Sequence, residues 1–197
     1  MLSNLNERSI RRGSRKLGRS FYRRHAEELA RELVGKILVR RIDKTEMRVR
    51  IVETEAYVGA HDLACHASKG RTARTEIMFG PAGFAYVYLI YGMHDMLNIV
   101  SGPVDDAQAV LIRAAEPLDG LSLDLSGPGK LTRALRITRA DNGLDLTGDR
   151  LFLMDDNVSR PRLLCTPRIG VDYAGEWKDA PLRFFDADSR AVSKRAR

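Results

Sequence analysis

The sequence predicts an α+β domain: a curved, mainly antiparallel sheet flanked by helices. Three observations carry that expectation. Segments with strand patterning outnumber those with helical patterning. The links between strand-like segments are short and lack the length that a parallel crossover needs. The chain has 197 residues, 44% of them hydrophobic and 30% charged. That is enough for one domain with a real core, and no internal repeat or low-complexity linker divides it.

Residues 1–19 are Arg-rich and aperiodic, and a disordered basic arm is expected there. A helix is expected from Ser20 or Phe21 to Val34. Ala26, Leu29, Ala30, Leu33 and Val34 fall at helical spacing, and Gly35 follows as a stop. Residues 36–42 and 46–58 read as two strands joined by a polar turn at Asp43-Lys44. Residues 59–82 carry Gly, His, Ser and Arg without a period, so they read as a long loop, and such loops are usually functional. Residues 84–91 and 107–115 read as strands. Ser126-Gly-Pro-Gly opens a helix over about Lys130 to Arg139, and residues 150–154 and 163–169 read as further strands. The domain is expected to span 20–189, with a basic tail over 190–197.

The strand at 46–58 carries the most informative pattern. Val49, Ile51, Glu53, Glu55 and Tyr57 alternate and should share one face. Arg48 and Arg50 take the other, so the first face is expected to be the core face, ending in two carboxylates and a phenol. Charged groups on such a row must be paired or used. A salt-bridged structural pair and an acid–base site are both open on this evidence alone. Arg113 interrupts the apolar run Ala109-Val-Leu-Ile, and a guanidinium there calls for a carboxylate. Glu55 and Arg113 are therefore expected to meet across the sheet. Tyr86 and Tyr88 share a strand face, whereas Tyr91 lies on the other beside Gly92 and is expected to stand proud of the surface. Asn98, in an apolar stretch, needs partners from backbone or ligand.

Charge is unevenly placed. The formal net charge is +7. Residues 1–24 hold eight basic side chains against Glu7 alone, and the remainder balances 25 basic with 25 acidic residues. Residues 190–197 add Arg190, Lys194, Arg195 and Arg197 without an acid. Two basic tails favour a polyanion through counterion release; a solubility tail or a targeting segment are the alternatives. No apolar run is long enough to span a membrane. Cys65 and Cys165 form no CxxC pair, so free thiols in a reducing compartment are expected. His61, Cys65 and His66 lack a fourth metal partner at usual spacing, and no metal site is expected.

Several motifs occur together in order. They are Glu53-Thr-Glu-Ala-Tyr-Val-Gly, His66 in the following loop, Tyr86-Val-Tyr-Leu-Ile-Tyr-Gly-Met with Asn98, Leu111-Ile-Arg-Ala-Ala-Glu-Pro, Ser126-Gly-Pro-Gly-Lys-Leu, and Arg168-Ile-Gly-Val with Ala174-Gly-Glu-Trp. Over about Phe21 to Phe185 the chain resembles the alkyladenine (3-methyladenine) DNA glycosylase family. The resemblance implies a monofunctional hydrolase of base excision repair. It would excise alkylated or deaminated purines, of the 3-methyladenine, 7-methylguanine and hypoxanthine type, from double-stranded DNA. It implies no cofactor, a monomer and an intracellular setting in cytoplasm, nucleoid or nucleus. Glu55 would be the general base on water, with Arg113 and the carbonyl of Ile169 holding that water. Tyr57 would stack on one face of the flipped base, with His66 and Tyr88 on the other. Asn98 would clash with a 2-amino group, and Tyr91 would fill the vacated stack. The resemblance gives Glu53 no direct chemical role. His94 departs from the family's fullest pattern, which often has an aromatic there.

Two rival readings are a non-catalytic nucleic-acid-binding module on the same scaffold and a zinc deaminase. The first could dispense with Glu55 or Arg113, and both are present. The second needs an HxE together with a PCxxC, and the sequence has no PCxxC.

Overall fold

Strand patterning dominates the chain, and in the computed structural model, which describes residues 13–157 and 161–194, it produces a single sheet. Nine strands take part: β1 (Arg15–Lys16), β2 (Ile37–Ile42), β3 (Thr45–Tyr57), β4 (Ala85–Ile90), β5 (His94–Ser101), β6 (Gln108–Pro117), β7 (Leu151–Asp155), β8 (Leu163–Thr166) and β9 (Arg183–Asp186). The main path runs β1-β7-β2-β3-β6-β5-β4, and β9 joins β3 and carries β8 on its far side. Every pairing is antiparallel, as the short links imply. Among the described residues three α-helices accompany it: α1 (Arg19–Tyr22), α2 (Ala26–Leu33) and α3 (Pro128–Ala134). The expected α+β class stands.

β3 organises the sheet. Its first half pairs with β2, its second half with β9 on the same edge, and β6 lies along the other edge. The amphipathic face of α2 packs against this centre, burying Ala26, Leu29, Ala30 and Leu33. Thr54 is buried on that side and donates its hydroxyl to the Ala30 carbonyl at 2.9 Å.

The alternation expected for β3 does not persist. The β3–β6 register shifts between Ile51 and Glu53, and again between Glu53 and Thr54. The first shift gives β3 an extra residue near Val52; the second leaves Arg113 of β6 without an opposite partner in β3. Because side-chain period in a strand is two, one extra residue exchanges the faces. Val49 and Ile51 therefore pack into the core with Ala56 and Val58. Glu53, Glu55 and Tyr57 lie on the opposite face, not at the end of the core row.

Other boundaries differ locally. The helix expected over 20–34 is two helices, because His25 is extended (φ −53°, ψ 145°) and caps α2 by accepting from the Glu27 N–H. The helix expected to reach Arg139 ends at Ala134, and Arg136 has a φ of +51°. The strand expected over 163–169 ends at Thr166, since Pro167 has no N–H for a ladder. β5 and β9 were not expected as strands. Residues 1–12 lie outside the described residues. The chain is already ordered at β1, which pairs with Met154 and Asp155 inside the segment expected as an arm. At the other end, residues 189–194 run against the sheet, and 195–197 lie outside the described residues. Among the described residues no helix is long and apolar enough to cross a membrane.

Candidate functional site

A cavity of about 260 Å³ opens on the sheet face that carries Glu53, Glu55 and Tyr57. Strand alternation supplies most of its wall. β4 contributes Tyr86 and Tyr88, β5 Met96 and Asn98, β6 Leu111 and Arg113, and β3 Tyr57. His66 enters from the long loop, Ile169 from the segment after β8, and Pro128 from the first turn of α3. Of the residues expected at one site, Tyr57, His66, Tyr88, Tyr91, Asn98, Arg113 and Ile169 all line this cavity.

Glu55 is fully buried behind that lining, reached through Tyr57, Arg113 and Ile169 rather than standing at an open mouth. Its Oε1 accepts the Ile169 backbone N–H at 2.7 Å. Its Oε2 accepts from Arg113 Nη1 at 3.2 Å and from the Tyr57 hydroxyl at 3.1 Å. The expected meeting of Glu55 and Arg113 is therefore present. Its route is diagonal, since the residue directly opposite Glu55 is Leu111. An ionised carboxylate accepts about four hydrogen bonds. These three donors leave one position for a further donor such as water. Burial tends to strip the Arg113 proton, but the carboxylates of Glu55 and Glu53 outweigh it and hold the guanidinium charged. Burial raises the Tyr57 phenol well above its ordinary value, and the Glu55 carboxylate raises it further, so Tyr57 remains a donor.

The aromatic wall is an interlocked set. His66 meets Tyr88 edge to face with ring centres 4.5 Å apart, and Tyr86 lies 5.3 Å from Tyr88. His66 Nδ1 is 2.8 Å from the Tyr86 hydroxyl. Burial, aided by the Arg74 charge, lowers the His66 pKa from 6.5 to about 4. The wall is thus neutral at ordinary pH. Asn98 is held by its amide nitrogen, which donates to the Tyr86 and Met96 carbonyls at 3.3 and 3.5 Å. The three residues weighed for a metal are separately engaged: Cys65 is buried against the Ala107 carbonyl, His66 bonds Tyr86, and His61 meets Trp177 edge-on at 5.3 Å.

Tyr91 stands at the rim, 82% exposed, at the tip of the β4–β5 hairpin. Tyr91 and Gly92 have φ of +51° and +69°, and the Met93 N–H closes the turn on the Ile90 carbonyl at 3.1 Å. Two consecutive left-handed residues make the tight hairpin turn whose twist suits the strands. A tyrosine in the first of those positions is strained. His94, which departs from the resemblance, packs on α3. A methyl at Gly129 would sit 3.0 Å from its ring, which explains a glycine one residue beyond Pro128.

Sequence reasoning missed three supports. Arg168 and Asp62 form a buried bidentate pair at 2.5 and 2.8 Å, and the Arg168 guanidinium lies 4.8 Å from the Tyr57 ring centre. The position of Arg168 beside Ile169 in a recognised motif was the available signal. Arg74 lies 5.0 Å over the Tyr88 ring, and nothing in the aperiodic loop marked it. Glu53, read as structural, is the hub of a third group. It accepts from Arg183 Nε at 2.6 Å, Arg113 Nε at 3.3 Å, and the Ser193 N–H and hydroxyl at 2.6 and 2.9 Å.

Comparison with known proteins matches residues 20–190 to the family model described as Methylpurine-DNA glycosylase (MPG). A protein of Methanocella arvoryzae named "Putative 3-methyladenine DNA glycosylase" is 49% identical, over 91% of this chain and 96% of its own length. Proteins of the same name from an Anaeromyxobacter species and from Legionella pneumophila are 52% and 48% identical. Each match covers 91% of this chain, and 93% and 99% of the relatives.

Proposed function

The chain belongs to the methylpurine-DNA glycosylase family, hydrolases of N-glycosyl bonds, and from that premise we propose a monofunctional reaction on purines flipped out of duplex DNA. The observation that carries the reading is the Glu55 carboxylate, bound by Arg113, Tyr57 and the Ile169 N–H immediately behind an aromatic-walled cavity. The chemistry needs a base that cannot be reached inside a stacked helix, so the nucleotide must be extruded. Tyr57, His66 and Tyr88 supply stacking surface for it, and a cationic alkylpurine adds a cation–π attraction of about 0.5–2 kcal/mol.

In the step itself a water takes the remaining acceptor position on Glu55, steadied by Arg113 and the Ile169 carbonyl. Its oxygen forms a bond to C1′ of the damaged nucleotide. The C1′–N bond breaks, and its electron pair leaves with the base. The water proton passes to Glu55. A cationic 3-methyladenine or 7-methylguanine departs neutral, whereas hypoxanthine departs as its N9 anion and then takes a proton from solvent. A positioned general base contributes about 10²–10⁴-fold. Among the lining side chains the cation nearest the carboxylate is Arg113, which forms no Schiff base, in keeping with simple hydrolysis. Asn98 lies in the pocket where a 2-amino group would meet its amide, a device that excludes normal guanine. Tyr91 enters the gap left by the extruded base.

The test is single-turnover excision of hypoxanthine or 3-methyladenine from a defined duplex by Glu55→Gln, alongside DNA affinity. Excision falls by at least 10²-fold and affinity is retained. A rate within a few-fold of the unmodified protein rejects Glu55 as the base.

A further inference from the structure

Glu53 carries a share of the site that its burial makes specific. It has no exposed surface, yet lies 2.6 Å from Arg183 Nε and 3.3 Å from Arg113 Nε. Arg113 is thereby divided between two carboxylates, with Nε on Glu53 and Nη1 on Glu55. Both register shifts of the β3–β6 ladder occur where these side chains meet. Such irregularities re-aim side chains beside sites.

The remaining acceptor capacity of Glu53 is filled from an unexpected direction. Ser193 gives it both a backbone N–H at 2.6 Å and a hydroxyl at 2.9 Å, and the same hydroxyl lies 3.4 Å from Arg113 Nε. The segment carrying Ser193 is anchored on either side. Ser189 donates its hydroxyl to Glu116 at 2.5 Å, and Arg183 Nη2 donates to the Lys194 carbonyl. A stretch that composition marked only as a basic tail thus closes over the back of the site.

We propose that Glu53 and Ser193 are positioning residues for the excision step: Ser193 docks the C-terminal segment on Glu53, and Glu53 fixes the guanidinium of Arg113 where it can serve Glu55. This rests on the reading of Glu55 as the base. The buried cluster contains two carboxylates, Glu53 and Glu55, and two guanidinium groups, Arg113 and Arg183. Withdrawing the Ser193 donors leaves Glu53 under-bonded, and an under-bonded buried carboxylate draws more strongly on the donors it still has. Arg113 then turns toward Glu53 and away from Glu55 and its water. The loss falls on the chemical step, because neither Glu53 nor Ser193 lines the cavity.

The experiment compares Ser193→Pro, which removes the N–H and the hydroxyl, with Ser193→Thr, which keeps both, in the full chain. Single-turnover excision at saturating enzyme, affinity for lesion-bearing duplex and thermal midpoint are measured for each. Ser193→Pro lowers the saturated rate at least tenfold, with affinity within twofold and the midpoint within a few degrees. Ser193→Thr restores the rate to within threefold. Glu53→Gln provides a second variant and shows the same split between rate and affinity. Excision by Ser193→Pro at the unmodified rate overturns the proposal, as does a loss of rate that Thr fails to restore. Glu55→Gln, run beside them, separates the two ideas. An active Glu55→Gln defeats the reading of the base itself. An inactive Glu55→Gln with a fully active Ser193→Pro defeats only the role of the C-terminal segment.

Discussion

Tyr57 donates its hydroxyl to Oε2 of Glu55 across 3.1 Å, so one side chain both lines the cavity and holds the carboxylate behind it. Its two roles can be separated. Tyr57→Phe keeps the ring and removes the donor. A hydrogen bond to a charged group is worth about 1.5–3 kcal/mol, so single-turnover excision falls roughly tenfold or more while lesion affinity changes little. Tyr57→Ala removes the ring as well and weakens both. Equal loss of affinity in the Phe and Ala variants would show that the hydroxyl, rather than the ring, binds the base.

Tyr91 makes a second separation possible, between stability and function. It occupies a left-handed conformation, φ +51°, that costs a residue with a Cβ about 1–2 kcal/mol. Asn adopts that conformation more readily. Tyr91→Asn therefore stabilises the fold by up to about 1 kcal/mol and raises the thermal midpoint. The same change removes the aromatic wedge, so a fluorescent base at the lesion shows less extrusion. A midpoint that falls would refute the strain at Tyr91, and extrusion that is unchanged would leave Tyr91 without the wedge role.

The lowered pKa of His66 has a measurable sign. Folding depresses it from 6.5 to about 4, chiefly through burial and then through Arg74. The unfolded chain therefore binds the proton first. The neutral imidazole contributes stability that is complete above about pH 6.5 and is lost as pH falls toward 4. His66→Gln, which does not titrate, flattens the dependence of thermal midpoint on pH across that window. Between pH 7 and 8 His66 stays neutral, so it introduces no step into the excision rate there. A variant that retains the full acid loss would assign that loss to other groups.

How much of this was legible in sequence follows from what spacing encodes. Tyr86 and Tyr88 sit in an unbroken strand, and simple alternation puts them on one face, where the cavity forms. The partnership of Arg113 with Glu55 was legible because a guanidinium in an apolar strand demands a carboxylate. The face assignment of β3 failed because the register shifts at Val52 and Arg113 leave no mark on composition. β5 was missed because His94, Asp95 and Asn98 dilute its apolar pattern, and their burial is decided by neighbours from β4, β6 and α3. The Glu53–Ser193 contact joins residues 140 positions apart, and no local rule reaches that far. The break at His25 depends on a single capping hydrogen bond.

The pair Arg168–Asp62 gives the most demanding prediction. Both side chains are fully buried. Asp62 also accepts the Val58 and Ala64 N–H groups at 3.2 and 3.0 Å, so it fixes the start of the long loop that brings in His66. Arg168 stacks on Tyr57 and leads directly into Ile169, whose N–H holds Glu55. Removing one partner of a buried pair strands the other charge and costs about 3–5 kcal/mol. Asp62→Leu alone therefore lowers the thermal midpoint by about 10 °C, at roughly 2–4 °C per kcal/mol for a domain of this size. The double variant Asp62→Leu/Arg168→Met replaces the pair with apolar groups and recovers most of that loss, since such replacements are often neutral. Excision does not recover with it, because Tyr57 has lost the guanidinium behind its ring and the loop has lost its anchor. Melting curves and single-turnover rates for the two single variants and the double complete the cycle. Recovery of both stability and rate in the double variant would reduce the pair to a structural one. Recovery of stability alone would make it part of the excision machinery.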